Sequence, residues 1–74
     1  MPGTSLVDMS ACMIQELSRR QVPWQSGTAA FEAAVASATK LHEAGLEPRE
    51  AVMQALTQEV IDRIKSAVDE ISQA

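Results

Sequence analysis

Apolar residues recur along this chain at helical spacing in three stretches, and nowhere do they alternate as they would along a strand. The first stretch predicts a helix over about 6–21. Taking about 100° per residue, Leu6, Met9, Met13, Ile14 and Leu17 share one broad face, with Val7 and Cys12 at its edges. Asp8, Gln15 and Arg19 lie opposite. Ser5 is placed to cap this helix, with Asp8 in its first turn favouring the positive end of the dipole. Pro23 is expected to close it, because the residue before a proline is pushed out of the helical region.

The second stretch predicts a helix over about 29–44, with Thr28 as its cap. Phe31, Ala34, Val35, Ala38 and Leu41 share its apolar face, which is mostly small. Gly45 suits the left-handed position just past the end, and Leu46 is placed to fold back onto Leu41. The third stretch predicts the longest helix, over about 48–72, with Pro48 in its first position. Met53, Val60, Ile64, Ala67 and Ile71 follow a three–four spacing that is interrupted at Thr57, and Leu56, Ile61 and Val68 widen the stripe. Glu59 and Arg63 form an i,i+4 pair in the favourable order.

The expected fold is therefore all-α, a single small domain over 1–74 of two short helices and one long C-terminal helix. The long helix would measure about 37 Å and the others about 24 Å each. Two short helices cannot cover the whole of a straight long one, so the bundle is expected to be completed by oligomerisation, as a dimer in the simplest case. At 74 residues a single core is barely sufficient for stability. Cys12 is the only cysteine, so no disulfide forms within one chain. Cys12 and His42 are too few soft or borderline ligands for a structural zinc site. No metal and no cofactor is expected.

Charge narrows the function classes. The formal net charge is −4, and the C-terminal part from Glu47 onward holds most of the excess. No basic stripe exists to neutralise phosphates, so nucleic acid is not an expected partner. Anionic membrane surfaces are disfavoured for the same reason, and no apolar run approaches the ~20 residues that span a bilayer. The opening MPGTSLVDMS has no charged segment followed by an apolar one, so no cleaved leader is read from it. A lone thiol suits a reducing compartment, and the expected location is cytoplasmic.

Candidate chemistry is sparse. Cys12 and His42 do not make a catalytic pair without an orienting group, an oxyanion site and a pocket, and no enzyme activity is expected. Cys12 reads as a small apolar residue at a helix margin. His42 lies on the apolar face of the second helix. It is either a partly buried histidine bonded to a carbonyl near the helix end, or a pH-sensitive or ligand-contacting group at a subunit interface. Glu59, Asp62, Asp69 and Glu70 are interleaved with Arg63 and Lys65, which reads as a solvated face. The pair Arg19–Arg20 reads as charge near a helix end. Met9, Met13 and Met53 are core candidates that would also suit an adaptable binding groove.

The stretch WQSGTAAF holds the only tryptophan and the only phenylalanine. It resembles the Trp-x-Gly turn of the WXG family of small secreted proteins, which is followed by small residues and an aromatic. The resemblance implies two long antiparallel helices, dimerisation into a four-helix bundle and export by a dedicated secretion system. The spacing here, Trp24-x-x-Gly27, is one residue longer, and the chain has no tyrosine to supply that family's terminal export motif. From the residues alone, Trp24 anchors a structural corner, with its indole N–H reaching a carbonyl.

Together these features lead to a small acidic helical interaction module: an adaptor, regulator or inhibitor that docks apolar helix faces on itself and on another protein. The residues expected to carry this are Val60, Ile64, Val68 and Ile71 at the exposed end of the third helix, with Leu6, Met9 and Met13 facing them. Two other readings remain open. One is the WXG-like secreted hairpin; the other is a small-ligand binder at a subunit interface lined by Met side chains and His42.

Overall fold

A computed structural model of the chain describes residues 8–73. Over these residues the fold is all-α: α1 Met9–Arg19, α2 Ala29–Glu43, α3 Pro48–Ala55 and α4 Gln58–Gln73. The expected third helix is thus two helices. Thr57, the position that interrupts the apolar spacing, is where the chain breaks. Leu56 leaves the helical region at ψ 70° and buries its side chain. The Thr57 hydroxyl then accepts the Val60 N–H at 3.3 Å and starts α4. A straight 25-residue rod would carry half its stripe past the rest of the molecule. Breaking it lets Val52, Ala55 and Leu56 pack on one side of the bend and Ile61 and Ile64 on the other.

α1 is shorter than expected at both ends. Asp8 adopts extended geometry and caps the helix by accepting the Ala11 N–H at 3.2 Å, so the first helical residue is Met9. Ser5, Leu6 and Val7 lie outside the described residues. At the other end the helix stops four residues before Pro23, by a mechanism that does not need the proline. Gln21 takes a left-handed conformation, φ 58°. Its N–H donates to the Ser18 carbonyl, and the Val22 N–H donates to the Leu17 carbonyl, the paired bonds of a Schellman ending.

α2 follows its expected outline. The Thr28 hydroxyl accepts the Phe31 N–H at 3.2 Å. Gly45, at φ 117°, closes the other end, with the Leu46 N–H donating to the Leu41 carbonyl. This helix is the hub of the molecule: α1, α3 and α4 all pack against it. Its small inward residues, Ala34 and Ala38, let those neighbours approach closely, while Phe31 fills the middle of the core with Met13, Leu17, Val52 and Ile64. The molecule is elongated, 44 × 24 × 20 Å, with a radius of gyration of 12.6 Å, against about 11 Å for a compact chain of this length.

Three expectations change with this architecture. Among the described residues the two long antiparallel helices of a WXG hairpin are not formed, and the longest helix there has 16 residues. With Pro48–Ala55 and Gln58–Gln73 as separate helices, there is no helix of about 37 Å for a second chain to cover. Met53, placed on the apolar stripe of a continuous helix, is 46% exposed, because the break at Leu56–Thr57 shifts the phase of α3 relative to α4.

Candidate functional site

A surface groove of about 1000 Å³ lies between α2 and α4. Its α2 wall is the ridge Ala29, Ala33 and Ser37, spaced four apart so that all three lie on one side of the helix. Ala30 and Ala34 continue that wall toward the floor. Its α4 wall carries Val60 and Ala67, with Glu59, Asp62, Arg63 and Glu70 also lining it. Arg63 donates to Glu59 at 3.2 Å. Asp62 accepts only the neutral Gln58 amide, at 3.0 Å. Among the described residues, neither Asp62 nor Glu70 has a cation within ion-pair distance.

Another groove, about 360 Å³, lies between α1 and the start of α3 and is lined by Cys12, Glu16, Arg19 and Arg49 among others. Glu16, unremarked on the helical wheel, is its most organised residue: its side chain is only 7% exposed. Arg19 donates through Nε to Oε1 at 3.3 Å and through Nη2 to Oε2 at 2.6 Å. Arg20 donates through Nε to the same Oε2 at 2.6 Å. The Arg19 hydrogen bonds, and then those of Arg20, hold the Glu16 carboxyl below its usual range against the opposing effect of burial. The same contact raises Arg19. Arg19 and Arg20 are therefore both tied to Glu16, which offsets one of their two charges. The signal was present in the spacing E-x-x-R-R, which places both arginines within reach of one glutamate.

The other expected site residues fall into distinct places. Met9, Met13 and Ile64 are buried in the chain's own core, Ile64 at 1% exposure and Met13 fully covered. They are structural here and do not form an open face. Val60 and Val68 are half-buried, and Ile71 is 50% exposed. Leu6 lies outside the described residues. α1 packs chiefly on α2 and α3, so Met9 and Met13 do not form the opposite wall to α4.

His42 is half-buried, and its Nδ1–H donates to the Leu46 carbonyl at 2.8 Å, tying the turn after α2 to the helix. It is absent from the lining of the Cys12 groove. Trp24 is half-buried and stacks on Phe31 with ring centroids 5.7 Å apart. Its indole N–H makes no hydrogen bond to a described residue, so stacking rather than a carbonyl contact positions it.

Among the described residues there is no group of three His, Cys, Asp or Glu side chains arranged to hold a metal ion. No described helix is long and apolar enough to cross a membrane. No protein-family model, no curated protein and no solved structure matches the chain.

Proposed function

We propose that this protein is a small helical interaction module that receives an α-helix of a partner protein in the groove between α2 and α4. The observation that carries the reading is the groove itself. Two helices form its walls, its α2 wall is small side chains at four-residue spacing, and it is long enough for about three turns of a third helix. Small residues along such a ridge permit close approach of backbones, at interaxial distances near 8 Å. An incoming helix supplies the larger side chains that the alanine wall lacks, which is the helix-in-groove mode of recognition. Adaptor, regulator and inhibitor are the roles such a module can fill.

The test uses the exposed residue Ala33. A tagged chain and its Ala33→Arg variant are compared by native mass spectrometry after recovery from the source cell. Ala33 is exposed on a helix, so the variant is expected to fold, with a circular dichroism spectrum and melting temperature close to the parent's. A protein held in fixed ratio by the parent, retained by a Gln15→Arg control on α1, and lost from Ala33→Arg supports the groove. A partner held equally by all three chains places the docking surface elsewhere and overturns the reading.

A further inference from the structure

We infer that the helix received by the α2–α4 groove is basic: an amphipathic helix with small or aliphatic residues along its contact stripe and Lys or Arg beside it. The inference rests on the groove reading above and adds the chemistry of the occupant. Of the four charged side chains that line the groove, three are acidic. The single cation, Arg63, is already engaged by Glu59. Asp62 and Glu70 are left without a cation, on the edge of a trough whose floor is alanine, valine and serine. An occupant lying along α4 therefore meets an apolar floor and negative charge along its flank. Complementary charge there speeds encounter and excludes acidic helices.

The same charges argue against a second copy of this chain. Its two longest helices, α2 and α4, are the natural candidates to fill a groove three turns long. α2 carries Glu32 and Glu43 against Lys40, and α4 carries Glu59, Asp62, Asp69 and Glu70 against Arg63 and Lys65. Either would bring net negative charge to a negative wall. The chain as a whole, at −4, repels its own copies at low salt.

The probes are two 18-residue amidated peptides of the same helical design, with an alanine and leucine contact stripe. One carries lysine at the flanking positions and the other glutamate. Each is titrated onto isotope-labelled protein while the amide resonances of Ala33, Ser37, Arg63 and Ala67 are followed. The lysine peptide is expected to shift these four amides and to bind roughly tenfold tighter than the glutamate peptide at low salt, the scale of one or two exposed ion pairs. In 0.5 M salt, where the screening length is about 4 Å, the difference should fall to about twofold or less. The double variant D62N/E70Q should remove the preference at low salt without losing the shifts. Equal binding of both peptides at these amides, or preference for the glutamate peptide, overturns the basic occupant while leaving the groove reading in place. If neither peptide moves these amides, the groove reading fails and the inference with it. Shifts at the same amides with protein concentration alone, at twice the 8.0 kDa chain mass, assign the groove to a second copy and overturn the inference.

Discussion

At the scale of single residues, Glu16 is where electrostatics and packing meet. Its carboxylate is covered by the two guanidinium groups that it holds, and that contact keeps it ionised below the ordinary glutamate range. A carboxyl group whose pKa is depressed on folding stabilises the folded chain fully above its unfolded value, about 4.5, and loses that contribution as the pH falls through the folded value. Glu16→Gln is therefore expected to cost about 1 kcal/mol at pH 7, read as a lower urea midpoint. The difference from the parent should narrow as the pH falls below 4.5 and through the depressed folded value, where the parent's own carboxylate takes up a proton. A gap that stays the same at every pH would mean that Glu16 acts through packing alone.

At the scale of elements, the two Schellman endings make a matched comparison. One closes on Gly45 at φ 117°, the other on Gln21 at φ 58°. A residue with a side chain held in the left-handed region costs about 1–2 kcal/mol, while glycine occupies it freely but gives up more freedom on folding. Gln21→Gly should accordingly stabilise the chain by about 0.5–1 kcal/mol, and Gly45→Ala should destabilise it by about 1 kcal/mol. Melting temperatures moving in these opposite directions would check the assignment; a fall on Gln21→Gly would contradict it. The comparison also explains what was legible. Thr28, Gly45 and Pro48 are local signals, each sufficient to mark a boundary, and α2 lies where they place it. The end of α1 carries no such signal, because glutamine rarely takes the left-handed role, and Pro23 nearby draws attention to the wrong residue. The break at Leu56–Thr57 was visible only as a gap in the apolar spacing. Its cause is tertiary, since α2 can be covered along its length only if the chain bends there. Ile64 shows the same limit for the site: periodicity identifies an apolar stripe but cannot say which turns the rest of the chain covers. The groove was the least legible feature, because Ala29, Ala33 and Ser37 mean little until α4 is laid beside them.

At the scale of the whole molecule, α2 is held on several sides and α4 chiefly on one. Local opening should therefore be graded. Amide exchange is expected to be slowest at Ala34 and Ala38, where only global unfolding exposes the backbone, and fastest in α4 beyond Val68, where Ile71 is already half exposed. Uniform protection along α2 and α4 would show that α4 is bound into the core as firmly as the hub. The elongated outline, 44 Å in its longest dimension, belongs with this arrangement: the bend keeps the core in one piece, and the last turns of α4 extend from it. The alanine wall of α2 has one more consequence, which concerns disorder rather than shape or charge. Ordering a long side chain at a contact costs up to about 1.5–2 kcal/mol in rotamer freedom, whereas alanine has none to lose. Ala29, Ala30, Ala33 and Ala34 are as fixed in the free chain as they would be beneath another helix. On this wall, the entropic cost of association falls on the arriving partner and on the rim of α4.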